Sequence, residues 1–121
     1  MWIWDQSAGE LTRDGELVST GYSGNGRGKN NPSMQDAKNV GPIPAGMWNI
    51  AALQEVSPNV GPYALVLEPQ TGTNTFGRTD FRIHGDSIAD PGSASHGCII
   101  LPRKVREQIW RSGDRDLQVV T

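Results

Sequence analysis

Short alternations of apolar and polar residues run along most of the chain and predict strands more often than helices. Residues 1–5 and 9–13 form two such patterns, and the pair Asp14-Gly15 is a two-residue hairpin signal before a third strand over residues 16–22. The same pattern predicts five further strands, at residues 47–53, 63–67, 79–84, 97–101 and 116–121. The fold class is therefore mostly β, a small β-sandwich or open barrel.

Two segments depart from this pattern. Residues 102–111 are predicted to form one short C-terminal helix, because Leu101, Val105 and Ile109 recur every four residues, Pro102 suits its first position and Gly113 its cap. Residues 23–39 form a long polar loop, with one helical turn expected at residues 34–38. A loop of this length is either a solvated connection or a lid that contacts a substrate.

Composition narrows the class of protein further. A length of 121 residues predicts one domain, residues 1–121. The net charge of −2 gives no basic surface for nucleic acid, and no apolar run approaches the roughly 20 residues that span a bilayer. The N-terminus shows neither the basic nor the apolar region of a secretory signal, so no membrane insertion and no signal peptide are expected.

The chemistry concentrates in one stretch, residues 81–101, which holds both histidines and the only cysteine of the chain. A lone cysteine forms no internal disulfide, and a thiol becomes a good nucleophile only as a thiolate, which a neighbouring imidazole generates by taking the proton. Cys98 follows His84 by 14 positions. A turn at Asp90-Pro91-Gly92 can bring the two strand ends together, and His96 would share a face with Cys98 if its strand begins early enough.

These residues also carry a resemblance to a known family. His84-Gly85 followed by Ser95-His96-Gly97-Cys98-Ile99 resembles the active-site signature of the L,D-transpeptidases, the YkuD-type catalytic domain. The segment at residues 41–50, GPIPAGMWNI, resembles the strand-entry segment of the same domain. Residues 23–32, SGNGRGKNNP, resemble a branch of small L,D-transpeptidase-like toxins delivered by type VI secretion systems. The likeness covers roughly residues 20–105.

The resemblance implies a cysteine mechanism without a metal or an organic cofactor. Cys98 would be the nucleophile and His84 the general base, held by the backbone carbonyl of Gly85. The residues themselves offer a rival that orients His84, the carboxylate of Asp86, which follows it by two positions. His96 would help to shape the pocket.

Backbone and neighbouring groups would complete such a site. The amides of Gly97 and Cys98 are candidate oxyanion donors, and Ser95 is expected to support them by hydrogen bonding. The mainstream family carries Arg two residues after its Cys, where this chain has Ile100. Another cation would then hold a substrate carboxylate. The candidate substrate-binding residues are Arg82, Ser95, Asp86 and Arg103, with Arg82 preferred and Arg103 second as that cation.

The resemblance further implies a substrate, a location and partners. Cys98 would act on peptidoglycan stem peptides, giving L,D-carboxypeptidase activity, exchange of a D-amino acid or cross-linking. Such a substrate lies outside the cytoplasmic membrane, while the sequence shows no export signal. The chain is thus either an excised domain or a protein made in the cytoplasm and secreted, as an antibacterial type VI effector, into the periplasm of a target bacterium. An immunity protein and a secretion-machine component are candidate partners.

Two other functions remain open from the residues alone. His84, His96 and Cys98 are the ligand types of a zinc hydrolase with an open fourth position, although no recognisable zinc spacing surrounds them. A non-catalytic wall-binding module is the third alternative. Alkylation of the thiol would inactivate the cysteine enzyme, chelation would inactivate the zinc enzyme, and the binding module would survive both treatments.

Overall fold

One large sheet and one helix make up most of the protein. The computed structural model describes residues 1–57 and 60–121. In these residues it contains two short 3-10 helices, Gly26–Gly28 and Pro32–Met34, and one α-helix, α1 (Arg103–Arg111). The strands are β1 (Trp2–Asp5), β2 (Glu10–Arg13), β3 (Glu16–Thr20), β4 (Tyr22–Ser23), β5 (Gly46–Gln54), β6 (Ala64–Pro69), β7 (Arg82–His84), β8 (Ile99–Ile100) and β9 (Asp116–Val120).

The strand order closes the sheet almost into a barrel. Neighbouring strands run β3-β2-β1-β9-β5-β6-β7-β8-β4, so the two edges are β3 and β4, which follow each other in the chain. Gly21 joins these two edges, and a Cβ at this position would lie 2.0 Å from the carbonyl oxygen of Ile100. The prediction of a mostly β fold, a small sandwich or open barrel with one short helix, is confirmed.

Most local predictions are also confirmed. The first three strands form the expected antiparallel meander, and Asp14 and Gly15 both have positive φ, 52° and 81°, as the predicted hairpin turn requires. The strand at the C-terminal end, β9, does not lie at an edge but between β1 and β5, where it is parallel to β1. The first residues of the chain are therefore tied into the sheet by the last ones.

Three predictions need correction. The strand expected at residues 16–22 is broken at Gly21, because the chain leaves β2 there and pairs instead with β8. The helical turn expected at residues 34–38 lies earlier, at Pro32–Met34, where the side chain of Asn31 caps the amide of Ser33. Pro102 is the N-cap of α1 and not its first helical residue.

The core lies inside the curved sheet and beneath α1. Trp2, Trp4 and Trp48 are fully buried. The rings of Trp48 and Phe81 pack edge to face with centroids 5.0 Å apart. Ile109 of the predicted apolar stripe is also fully buried, which fixes α1 on the sheet. Burial of side chains of this size stabilises the fold by about 1.5–3 kcal/mol each.

The helix is short and its apolar face is used for packing. Within residues 1–57 and 60–121, no helix combines the length and the apolar character that a membrane crossing requires.

Candidate functional site

A cavity of about 500 Å³ opens where β7 and β8 begin, and both predicted reacting side chains line it. These two strands are parallel neighbours, with Ile83 beside Ile99 and His84 beside Ile100. Cys98 precedes β8 directly and therefore lies beside the start of β7. The cavity wall is formed by Lys38, Asn39, Val60, Gly77, Arg78, Thr79, Asp80, Phe81, Arg82, His84, Ala94, His96, Gly97 and Cys98.

The thiol of Cys98 is held by the backbone before β7. Its Sγ accepts a hydrogen bond from the amide of Arg82 at 3.2 Å and lies 3.5 Å from the carbonyl oxygen of Asp80, to which it can donate. Burial raises the pKa of Cys98 above the ordinary thiol value, and the amide and charge of Arg82 oppose that shift only in part. The sulfur is thus a protonated thiol in the free protein at neutral pH.

The imidazole of His84 is buried and has a defined orientation. Its Nδ1 lies 2.9 Å from the carbonyl oxygen of Gly85. Because a carbonyl only accepts hydrogen bonds, Nδ1 carries the hydrogen and Nε2 is the basic nitrogen. Burial lowers the pKa of His84, and the positive charges of Arg106 and Arg82 lower it further, against the bond to Gly85. A neutral His84 with a free Nε2 is the form that accepts a proton.

The two groups that the sequence offered for orienting His84 have different positions. The carbonyl of Gly85 makes the hydrogen bond to Nδ1. The carboxylate of Asp86 accepts bonds from the hydroxyl of Tyr22 at 2.5 Å and from the amides of Ser87 and Gly92. These bonds hold the pKa of Asp86 below its usual value, although its limited burial works in the opposite direction. Asp86 organises its own loop, and the carbonyl of Gly85 orients the imidazole.

Ser95 shapes the turn that presents Cys98. Its side chain is fully buried, and its Oγ donates to the carbonyl of Cys98 at 2.5 Å while accepting from the amides of Gly24 and Gly97. This network agrees with the support role expected for Ser95, but it leaves the side chain without access to a substrate. It also engages the amide of Gly97, so the amide of Cys98 is the remaining candidate of the two oxyanion donors that the sequence suggested.

Gly97 allows the close packing behind the thiol. Its φ of +135° disfavours other residues, and a Cβ would lie 2.5 Å from Nη2 of Arg78. His96, on the other side of Gly97, is exposed and lies outside β8. The strand therefore begins too late for His96 and Cys98 to share one of its faces, although both residues line the cavity.

Arg78 is a residue of this site that the sequence did not reveal. Its guanidinium is buried and donates to four backbone carbonyls, those of Gln35 at 2.6 Å, Pro42 at 2.8 Å, Gly41 at 2.9 Å and His96 at 3.3 Å. Arg78 thereby ties the long polar loop to the turn before Cys98. It lies in a polar Gly/Thr/Asn segment without periodicity, and no local pattern distinguishes it from a solvated arginine.

Arg82 and Arg103, the two arginines predicted to bind a substrate carboxylate, lie in different cavities. Arg82 lines the cavity of Cys98, and its Nε donates to the side chain of Gln54 at 3.0 Å. Arg103 does not line that cavity, so the second choice for a substrate cation is not brought to the thiol. It lines a second cavity of about 390 Å³ together with Asp86, Ile100 and Arg106. Ile100, the position where the mainstream family carries Arg, also lies on that side.

A metal centre finds no support in the arrangement of side chains. No group of three or more His, Cys, Asp or Glu residues within 1–57 and 60–121 is close enough to hold a metal ion. His84, His96 and Cys98 therefore do not form the zinc ligand set that was left open.

Two solved structures and one family profile are similar to this chain. The fold resembles an L,D-transpeptidase (Yku) from Stackebrandtia nassauensis with a TM-score of 0.56 and 17% identity, over 99% of this chain and 54% of that one. It also resembles L,D-transpeptidase 1 of Mycobacterium tuberculosis with a TM-score of 0.53 and 19% identity, over 99% of this chain and 60% of that one. The chain thus spans little more than half the length of these solved structures.

At these identities the two structures establish a shared fold. No curated protein sequence matches the chain. A family profile does match, that of the Tlde1 domain, over residues 18–121. Together the profile and the solved structures confirm the resemblance to L,D-transpeptidases and to their type VI effector branch. Because the match covers most of its length, the chain belongs to the Tlde1 domain family.

Proposed function

We propose that this protein is a cysteine enzyme that modifies the stem peptides of peptidoglycan. The observation that carries the proposal is the pairing of Cys98 and His84 in one cavity, with Nδ1 of His84 bound to the carbonyl of Gly85. That bond leaves Nε2 as the base, and an unprotonated imidazole nitrogen and a thiol on the wall of one cavity are the two groups that nucleophilic catalysis by cysteine needs. Membership of the Tlde1 domain family and the L,D-transpeptidase fold support the choice of substrate.

The proposed reaction proceeds through a thioester. As Sγ of Cys98 attacks the carbonyl carbon of the third stem residue, its proton moves to Nε2 of His84. The tetrahedral oxyanion is met by the amide of Cys98, and its collapse transfers the proton from Nε2 to the nitrogen of the departing D-alanine. Water then hydrolyses the thioester, which gives an L,D-carboxypeptidase, or a free D-amino acid takes its place, which gives exchange.

The cavity has charges that suit this substrate. A stem peptide that ends in D-alanine carries a free carboxylate. Three cationic side chains line the cavity, those of Lys38, Arg78 and Arg82. The guanidinium of Arg78 already donates to four backbone carbonyls, which leaves Arg82 and Lys38 as candidates to bind the carboxylate. We assign Arg82 to the carboxylate, because its backbone amide already contacts Sγ and its side chain starts beside the thiol. His96 is exposed and lines the same cavity, where it helps to shape the pocket and takes no part in proton transfer.

Mass spectrometry of purified muropeptides incubated with the protein tests the proposal. The wild type should remove or exchange the terminal D-alanine of a disaccharide tetrapeptide. Cys98→Ala should abolish the conversion with the fold intact, since one sulfur atom is removed, and His84→Ala should be nearly as damaging. His96→Ala is the matched control and should retain most activity. Conversion at the wild-type rate by Cys98→Ala would refute the thiol mechanism, and a dead His96→Ala beside an active His84→Ala would refute the choice of base.

We further propose that the protein acts as an antibacterial effector in the periplasm of a target cell. The support is the Tlde1 domain family together with a substrate class that lies outside the cytoplasmic membrane. An immunity protein that blocks the Cys98 cavity and a component of the secretion machine are the partners that this role requires.

A further inference from the structure

The second cavity contains a charged side chain that the chemistry at Cys98 does not use. It is lined by two segments that include the charged residues Asp86, Arg103 and Arg106 and the apolar residues Ile100, Leu101 and Pro102, by Gly85, and by Thr20, Gly21 and Tyr22. His84 lines the first cavity, while the next residue, Gly85, lines the second. The two cavities therefore lie on either side of one short segment.

Arg106 is buried on the wall of this cavity without a counter-charge. Only 5% of its surface is exposed, and its Nε and Nη1 atoms have no hydrogen-bond partner among the described residues. A buried guanidinium is normally paired with a carboxylate or saturated by hydrogen bonds, because an uncompensated buried charge is costly. Arg78 shows the saturated case in the same protein. Arg106, in contrast, is not saturated by hydrogen bonds within the described part of the chain.

The acidic groups near Arg106 are engaged elsewhere. Glu107 accepts from Arg103 at 3.0 Å and lies 3.8 Å from Arg111. Asp86, on the cavity rim, accepts from Tyr22 and from two backbone amides. Burial lowers the pKa of Arg106, the nearby charge of Arg103 lowers it further, and the charge of Glu107 opposes this shift only in part.

The backbone is shaped to admit this guanidinium. A Cβ on Gly85 would lie 2.5 Å from Nη1 of Arg106, and Gly85 does not occupy the left-handed region that calls for glycine. Glycine at position 85 is therefore explained by the close approach of Arg106. Ile100 and Leu101, both buried, and Pro102 form an apolar part of the wall, beside the polar side chains of Tyr22, Asp86 and Arg103.

We propose that the second cavity is a binding site for a carboxylate with a small apolar body, in which the guanidinium of Arg106 is the counter-charge. Ile100, Leu101 and Pro102 contact the apolar part of the ligand. A planar carboxylate matches a guanidinium in geometry and charge, and amino-acid or peptide derivatives with a free carboxyl group are ligands of this class. The site does not depend on any reaction at Cys98.

Thermal unfolding of the full chain tests the site with three probes. N-acetylglycine supplies the carboxylate, N-acetylglycinamide is its neutral counterpart, and inorganic phosphate is a different anion. Binding to the folded state alone should raise the melting temperature by about 5 °C when N-acetylglycine is present at ten times its Kd. The amide should give no rise. No response to N-acetylglycine, an equal response to the amide, or a response to phosphate alone would overturn the proposal.

Two variants assign the effect to Arg106. Arg106→Met keeps an unbranched stem that can fill part of the buried space and removes the guanidinium charge, so the response to N-acetylglycine should vanish. Arg111→Met is the control, because Arg111 is exposed on the same helix and lies outside the cavity. An undiminished response in Arg106→Met would overturn the assignment. If that variant does not fold, the ¹⁵N-¹H signal of Arg106 Nε in the wild type decides: it should move during titration with N-acetylglycine, and a stationary signal would refute the site.

Discussion

At the scale of single residues, the proposed reacting pair, Cys98 and His84, is neutral in the free protein. Burial raises the pKa of Cys98 and lowers that of His84, so neither shift favours a thiolate-imidazolium pair. The low pKa of the imidazole keeps Nε2 unprotonated at neutral pH, and the high pKa of the thiol keeps its proton available for transfer. In the proposed mechanism the proton therefore moves during attack on the carbonyl and not in advance.

This neutral pair has a measurable pH dependence. The rate of alkylation of Cys98 by iodoacetamide should follow the thiolate fraction and rise with pH through a midpoint above the ordinary thiol value of about 8.5. A preformed ion pair would instead give a fast rate already at pH 6–7. The measurement is the pseudo-first-order rate of mass gain between pH 5 and 10, with the Cys98→Ala variant as the blank. A plateau near neutral pH would contradict the neutral pair.

Arg82 and Arg103 provide a second test at this scale. Arg82→Ala should lower kcat/KM for a disaccharide tetrapeptide by about 1.5–3 kcal/mol, or about 10- to 150-fold, as expected for the loss of a charged hydrogen bond. The backbone amide that contacts Sγ remains in this variant. Arg103→Ala is the matched control and should leave kcat/KM unchanged, since Arg103 stacks on Tyr63 and pairs with Glu107 away from the thiol. Unchanged kinetics in Arg82→Ala would mean that Arg82 does not hold the substrate carboxylate and that Lys38 or neutral groups do so.

At the scale of elements, the site depends on two very short strands and on the loop tied to them. β7 and β8 contain three and two residues, so their ladder alone gives few hydrogen bonds. Arg78 adds bonds to the polar loop and to the turn before Cys98, and Ser23 connects the same parts, because its Oγ donates to the carbonyl of Gly97 and accepts from the amide of Ile43. These hydrogen bonds thus hold the segment at residues 24–45 in a defined position beside the site.

Replacement of Arg78 should loosen this segment. Arg78→Lys keeps a positive charge but cannot reproduce four carbonyl contacts from a planar fork, so the free energy of unfolding should fall by about 2–3 kcal/mol. Thermal unfolding and limited proteolysis within residues 24–45 are the measurements. Arg27→Lys is the control, because Arg27 is exposed in the same loop. Unchanged stability and unchanged cleavage in Arg78→Lys would show that the carbonyl contacts do not hold the loop.

The same elements show how far the sequence alone leads. Alternation of apolar residues predicted the strands, and the spacing of His84, His96 and Cys98 predicted a common site, because periodicity and motifs are local properties. The neighbours of each strand are not local. Nothing in the sequence near residue 120 places β9 beside β1 or breaks the third strand at Gly21 to reach β8.

Side-chain partners were equally beyond local patterns. The roles of Arg78 and Arg106 depend on carbonyls and a glycine from distant segments, and both residues appear in the sequence as ordinary surface arginines. The choice between Gly85 and Asp86 depended on where Tyr22 directs its hydroxyl, 64 positions away. Such contacts are set by the closure of the sheet, which no window of the sequence describes.

At the scale of the whole molecule, closure of the sheet determines where the two cavities lie. The turn at Gly21 brings β4 beside β8, so the strand that follows Cys98 is covered on one side by β7 and on the other by β4. Ile100 therefore lines the second cavity and not the cavity of Cys98. Position 100, where the mainstream family carries Arg, thus supplies no cation to the thiol in this protein. The barrel divides the charges between two sites, Arg82 in one and Arg106 in the other.

The whole protein should harm bacteria only when it reaches the compartment that holds peptidoglycan. Expression in a test bacterium with an added export signal should cause rounding or lysis, because the thiol then meets stem peptides, whereas the same chain without the added signal should be tolerated in the cytoplasm. The measurement is growth and cell shape after induction at matched protein levels. Exported Cys98→Ala is the control for the chemistry and should be harmless, and exported His96→Ala should remain toxic. Equal toxicity of the cytoplasmic form, or of exported Cys98→Ala, would point to a target other than the peptide stems of the wall.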